Sequence, residues 1–208
     1  MHTLLTLIGI LAVLAIGVVS PGPSFVMVAR TAVADSRRAA ITSAFGMASG
    51  AAVLCVAALL GLHALLSQIP ELYLALKVGG GGYLLYLAFK AWRGAAAPLV
   101  PPEAALSSQP GRRRHFALAA GTMLSNPKAA VQYGVIFAAM LPQSPSLALT
   151  LLLPPAVFLL EVSWYLFVAF ALSSSRPRDA YLKAKAAIDR TVGFVLACLG
   201  IRLLLSTR

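Results

Sequence analysis

Long apolar segments alternate with short polar connections along the whole chain. A helix needs roughly 20 apolar residues to cross about 30 Å of hydrocarbon, and six segments come near or exceed that length. They extend over residues 4–33, 39–66, 72–92, 116–141, 147–172 and 187–205. The pattern predicts an all-α membrane protein with six transmembrane helices.

Two short interruptions occur inside these segments, at corresponding places in the two halves of the chain. A Pro-Gly-Pro sequence at 21–23 lies within the first segment, and an Asn-Pro-Lys sequence at 126–128 lies within the fourth. Asn is a favoured N-cap and Pro a favoured first helical residue, so Asn126 predicts a new helix start in mid-segment. In lipid, backbone released from a helix needs polar partners, and such breaks persist mainly beside a cavity or site. The alternative is a pair of proline kinks that neighbouring helices tolerate.

Composition agrees with a membrane protein, and the positions of the positive charges indicate its orientation in the membrane. Hydrophobic residues make up 60% of the chain and charged residues 11%, and the mean hydropathy is +0.86, unlike a soluble domain. The net charge of +11 comes mainly from Lys and Arg between the apolar segments. The interleaved aromatic residues of a nucleic-acid surface are missing. We therefore expect membrane lipids, and no nucleic acid, as partners.

Basic residues are concentrated in alternate connections. Those after the first, third and fifth segments are rich in Lys and Arg, whereas the connections 67–71 and 142–146 contain neither. Basic connections stay on the cytoplasmic side, so both termini are expected outside. The chain then divides into two three-helix repeats, 1–95 and 116–208, joined by a cytoplasmic linker at 96–115. Their opposite orientation predicts an inverted repeat with broken first and fourth helices, within one integral membrane domain.

With this orientation, the two interrupted helices restart near the middle of the membrane and their amino ends meet at one cavity. The N–H groups of a first helical turn carry positive partial charge and suit a carboxylate or another small anion. Lys128 lies too deep to reach either interface easily, and Gln132 follows it on the same helical face. The candidate substrate-binding residues are Pro21, Gly22, Pro23, Ser24, Phe25, Asn126, Pro127, Lys128, Gln132 and Trp164.

Glu161 is the one carboxylate deep inside a predicted span. Such a residue predicts a functional site, and Glu161 is expected to pair with Lys128, to bind an ammonium group or to carry a proton. Glu161 and Lys128 are therefore the candidate proton-coupling residues. Carbonyl groups released at Pro154-Pro155 are a second candidate for binding the ammonium group. A purely structural ion pair is the alternative.

Metal and enzyme chemistry find no support in the residue pattern. Cys55 and Cys198 stand alone in apolar surroundings, and the three histidines lie in different segments, so metal-ligand spacing is missing. Neither a nucleophile with its base nor paired carboxylates occur within the spans. We expect no metal, no cofactor and no enzymatic activity. Gly46 with Gly50, and the run 79–82, are expected to form close-packed helix faces that are also compatible with a homodimer.

Several of these motifs together resemble the LysE/RhtB family of amino-acid exporters. The similarity covers nearly the whole chain: Ser-Pro-Gly-Pro-Ser at 20–24, Gly46 and Gly50, Lys-x-x-Gly-x-x-Tyr-Leu-x-Tyr-Leu at 77–87, and Asn-Pro-Lys at 126–128. The resemblance implies an exporter in the bacterial inner membrane for amino acids or their derivatives, of the homoserine, threonine, lysine or cysteine type, driven by the proton gradient. The family commonly has Asn where this chain has Ser24, so a contact made by that amide is not carried over.

The residues and the resemblance together predict a secondary transporter that exports amino acids across the cytoplasmic membrane by proton antiport. The paired helix starts and Lys128 would bind the carboxylate, and Glu161 would carry the proton. The alternative is a channel, or an exporter for another small solute or ion, although a cation site usually contains several acidic or thiolate ligands. Which amino acid is exported does not follow from the residue pattern.

Overall fold

The computed structural model describes residues 2–19, 22–68, 70–95, 111–142, 144–173 and 175–205, and these residues form eight α-helices and no strand. In chain order the helices are α1 (His2–Val19), α2 (Pro23–Ala34), α3 (Arg37–Gln68), α4 (Pro70–Gly94), α5 (Arg112–Leu124), α6 (Pro127–Met140), α7 (Leu147–Leu172) and α8 (Ser175–Leu205). The predicted all-α class is confirmed for these residues. Most of the predicted linker, at 96–110, lies outside the described residues.

Both predicted interruptions separate two helices. The first segment consists of α1 and α2, and the fourth consists of α5 and α6. Pro23 and Pro127 are the first residues of α2 and α6, as expected for a residue with no N–H to satisfy and a preset helical φ. The fifth segment and α7 have the same bounds, and α8 begins well before the predicted sixth span, so the basic stretch there is helical.

Two of the described helices are long and apolar enough to cross a membrane. They are α7 and the part of α3 at Arg37–Gly61, and α1 with α2 make a third if this pair, bent by 58°, is one span. The two helices of the fourth segment have only 13 and 14 residues. Long apolar helices agree with a membrane protein, while six crossings and the inverted repeat remain predictions.

The helices enclose two apolar clusters. The larger one draws buried side chains from α1, α2, α3, α5, α6 and α7. The smaller one joins α4, α6 and α8 through Leu84, Leu87, Ala88, Val135 and Leu196. Large apolar side chains also cover the outer surface of α7, where Leu151 is 64% exposed. An apolar exterior of this kind suits contact with lipid.

Glycines permit the closest helix contacts, as predicted for Gly46 and Gly50. An added Cβ at Gly46 would overlap the carbonyl oxygen of Phe116, and one at Gly50 would lie 2.9 Å from that of Ala120, so α3 and α5 pack backbone to backbone. In the run 79–82 only the central two glycines pack closely, because an added Cβ at Gly79 or Gly82 would meet nothing within 4 Å. The predicted close-packed face on α4 is therefore narrower than expected.

We expect the substitution Gly46→Ala to destabilise the protein by about 1–3 kcal/mol, because the new methyl group forces α3 away from the α5 backbone. Gly61→Ala is the matched control on the same helix, since its Cβ meets nothing within 4 Å, and its effect should stay within about 0.5 kcal/mol. Thermal unfolding in detergent measures both variants. Equal melting temperatures for the two would contradict the close contact.

Candidate functional site

The starts of α2 and α6 are joined by one side chain. Asn126 is the N-cap of α6, and its Oδ1 accepts a hydrogen bond from the backbone N–H of Lys128 at 3.0 Å. Its Nδ2 donates to the hydroxyl oxygen of Ser24, in the first turn of α2, at 2.8 Å. Both side chains are buried. The sequence-based prediction of Asn126 as a helix start is confirmed, and its amide also connects the two interrupted segments.

The first turn of α2 is capped differently. Its N-cap is Gly22, in an extended conformation and without a side-chain cap, and the first intrahelical bond runs from the N–H of Val26 to the carbonyl of Gly22 at 2.9 Å. Glycine has no side-chain oxygen that could accept hydrogen bonds from the first N–H groups of the helix. The positive end of α2 is therefore not masked by a capping side chain at Gly22.

A small polar cavity lies where the two helix starts meet. Its volume is about 30 Å³, which is room for only a few water molecules. Its walls come from α1, α2, α6 and α7, together with Met123 of α5 and the two N-cap residues. The lining residues are Gly17, Val18, Gly22, Ser24, Phe25, Met123, Asn126, Lys128, Ala129, Gln132, Tyr133, Glu161 and Tyr165. An amino acid fits only if these walls move apart.

Lys128 binds the carboxyl-terminal end of α1. Its Nζ donates to the carbonyl oxygen of Gly17 at 3.2 Å. The residue four positions after Gly17 is Pro21, which has no N–H, so this carbonyl lacks the usual helical donor. The ammonium group also interacts favourably with the negative end of the helix. A third helix terminus thus takes part in the site, beside the two amino ends that the sequence predicted.

Gly17 allows α6 to approach α1, and sequence reasoning missed it. An added Cβ at Gly17 would overlap the side-chain amide of Gln132, whose Nε2 donates to the carbonyl oxygen of Leu14 at 3.4 Å. Gln132 and Lys128 line the same cavity, as their spacing predicted. A glycine one turn before a predicted helix break was the available signal for this contact.

Glu161 of α7 also lines the cavity and is only 3% exposed. Its Oε1 accepts a hydrogen bond from the hydroxyl of Tyr133 at 2.7 Å. Its Oε2 is buried and has no hydrogen-bond partner in the described part of the chain. Lys128 and Glu161 line one cavity and attract each other electrostatically. The structure thus places the two predicted charges in one cavity. Sequence reasoning missed Tyr133, which lines the same cavity and donates a hydrogen bond to Glu161.

The other predicted residues have different surroundings. Pro23 and Pro127 set the helix starts without lining the cavity, and Pro21 lies outside the described residues. Trp164 lies behind the cavity wall, with its ring centroid 6.5 Å from that of Phe25 and 5.5 Å from that of Phe167. It lines an apolar groove between α1 and α7, and its role in substrate binding stays a prediction.

The predicted second ammonium site is corrected. Pro154 and Pro155 lie within one continuous helix, α7, and carbonyls of the preceding turn do not belong to the cavity lining. The tandem prolines lack the backbone N–H donors of a regular helix, but α7 continues through them. As for metal ions, no group of three or more His, Cys, Asp or Glu in the described ranges has a suitable arrangement.

Comparisons with known proteins identify a family of membrane transporters. The family of LysE type translocators matches residues 15–207. The chain is 32% identical to a threonine efflux protein of Salmonella typhi over 92% of this chain and 93% of that protein. It is 30% identical, over the same shares, to a threonine efflux protein of Escherichia coli strain K12.

Other similar proteins have no stated activity. An uncharacterised membrane protein of Escherichia coli strain K12, YahN, is 27% identical over 89% of this chain and 82% of its own length. No solved structure matches the chain. The family match includes α2 and α6 in full, and with them both helix starts of the cavity. The chain therefore belongs to the LysE family of translocators.

Proposed function

We propose that this protein exports amino acids from the cytoplasm, across the bacterial cytoplasmic membrane, in exchange for protons. As a LysE type translocator it is a transporter and not an enzyme. The observation that carries the proposal is the cavity between the starts of α2 and α6, which is lined by one ammonium group and one carboxylate. These charges complement those of a zwitterionic amino acid. The threonine efflux proteins it resembles support the same substrate class.

The substrate carboxylate is proposed to bind between the two helix starts and Lys128. The positive ends of α2 and α6 favour an anion near their first turns. The ammonium group of Lys128, which donates to the carbonyl of Gly17, would turn toward the stronger charged acceptor when the substrate arrives. The carboxylate thus competes with the end of α1 for Lys128, and binding loosens a contact between α6 and α1.

Glu161 is proposed to bind the substrate ammonium group and, after its departure, a proton. Its Oε2 is the buried acceptor that has no hydrogen-bond partner among the described residues. A carboxylate buried beside apolar groups is stabilised by a cation or neutralised by a proton. Substrate and proton would therefore occupy Glu161 in turn. When the protein returned to its inward-open state with Glu161 protonated, one proton would enter the cytoplasm for each exported amino acid.

Alternating access is proposed to arise from movement between the two predicted repeats. The cavity is too small for an amino acid, so the substrate can enter only when its walls separate. Corresponding helices of the two halves pack together, α3 on α7 and α4 on α8, which supports a two-fold arrangement of inverted repeats. The basic connections support an orientation with both termini outside.

Removing the charge of Lys128 should weaken substrate binding. For Lys128→Met, which keeps most of the side-chain length, we expect the half-saturating threonine concentration in counterflow to rise about 10- to 100-fold, since a hydrogen bond to a charged group contributes about 1.5–3 kcal/mol. Proteoliposomes with labelled threonine provide the measurement. Lys90→Met is the matched control, because Lys90 is exposed on α4. Unchanged half-saturation in Lys128→Met would exclude Lys128 from the site.

Glu161→Gln should separate substrate movement from proton movement. The amide retains the shape of the side chain but cannot take up a proton, so we expect counterflow to persist with reduced affinity while an imposed pH gradient no longer drives accumulation. Both assays use the same proteoliposomes. Gradient-driven accumulation equal to that of the unmodified protein would overturn proton coupling at Glu161, and non-saturable flux in the unmodified protein would favour a channel.

A further inference from the structure

Tyr133 makes the one hydrogen bond to Glu161 that joins α6 to α7 among the described residues. The hydroxyl donates to Oε1 at 2.7 Å, and the two side chains are 2% and 3% exposed. Removal of a donor from a buried carboxylate costs more than removal from an exposed one, because water does not replace it. The position of the Glu161 carboxylate therefore depends on this tyrosine.

The ring of Tyr133 is held in place by its neighbours. It makes an edge-to-face contact with Phe137, one turn later on α6, with ring centroids 5.9 Å apart and planes at 61°. Such a contact restricts an aromatic side chain without using its polar group. The ring packs in the larger apolar cluster while the hydroxyl reaches the cavity. The geometry is that of a fixed donor aimed at one oxygen atom.

The two oxygens of Glu161 are consequently different. Oε1 accepts from Tyr133, whereas Oε2 is buried with no hydrogen-bond partner in the described ranges. Buried polar atoms without a partner are rare in folded proteins and call for a specific explanation. The titratable groups near Glu161 are Lys128 and Tyr133 of α6 and Tyr165 of α7, and Cys55 of α3 lies near Tyr133. Oε2 faces a site where a cation or a proton is the missing partner.

We infer that Tyr133 is the positioning residue of proton coupling. By holding Oε1, it directs both the substrate ammonium group and the proton to Oε2, so that the two compete for one atom. The tyrosine hydroxyl remains a donor in both states, because the acid formed by protonation of Oε2 still has an acceptor at Oε1. Tyr133 also stabilises the charged carboxylate and thereby sets the pH at which the exchange occurs. This inference rests on the proposed role of Glu161.

The test is the pH dependence of gradient-driven export in Tyr133→Phe, which removes the hydroxyl and keeps the ring. We expect the pH of half-maximal export to rise by about one unit, a tenfold change in proton concentration, because the carboxylate loses a donor that favours its charged form. Tyr83→Phe is the matched control, since Tyr83 lies on α4 against Tyr86, outside the cavity lining. Its profile should equal that of the unmodified protein.

A second variant keeps the test decisive if Tyr133→Phe folds poorly. Glu161→Asp retains the carboxylate on a shorter side chain, which withdraws it from the Tyr133 hydroxyl, and it should move the profile in the same direction. Combining the two substitutions should add little further shift, as expected for residues that act through one bond. A profile unchanged in Tyr133→Phe, or two fully additive shifts, overturns the role of Tyr133. The proposed function fails separately, if Glu161→Gln still accumulates threonine under a pH gradient.

Discussion

The hydrogen bond from Asn126 to Ser24 is the contact on which the site depends. A helix that restarts inside apolar surroundings exposes N–H groups that lipid cannot satisfy, so it needs a polar partner close by. Asn126 provides that partner for α6 with its oxygen and reaches α2 with its nitrogen. One buried side chain therefore holds two helix starts against each other. The cavity lies beside this bond, and both of its residues belong to the cavity lining.

Each charged side chain of the cavity has a hydrogen bond to an uncharged group. Lys128 donates to a backbone carbonyl at the end of α1, and Glu161 accepts from the hydroxyl of Tyr133. A carbonyl or a hydroxyl holds a charged side chain less strongly than an opposite charge does. Under the proposed function, a zwitterionic substrate would compete with both partners at once. This arrangement supports the proposal that the cavity binds and releases a small ligand.

Sequence similarity and the geometry of the cavity are independent observations, and both support the proposed export of amino acids. The match to LysE type translocators covers most of the chain, and the similar threonine efflux proteins are covered over 93% of their length. The geometry adds which charged and polar groups line the cavity between the two helix starts. The structure also adds two residues to the site. Gly17 has no side chain and so leaves room for Gln132, and Tyr133 binds only one of the two oxygens of Glu161.

Local chemistry explains what the sequence by itself determined about this protein. Apolar length predicted the helices, and the cap and proline preferences predicted the starts at Pro23 and Pro127, because these depend on residues a few positions apart. Depth within an apolar segment also marked Lys128 and Glu161 as site residues. Only the tertiary structure decided their partners, Gly17 and Tyr133, and placed Trp164 in the lining of a neighbouring apolar groove. Gly17 and Lys128 are 111 positions apart, and a contact at that separation depends on how packing rotates whole helices, which neither spacing nor propensity encodes.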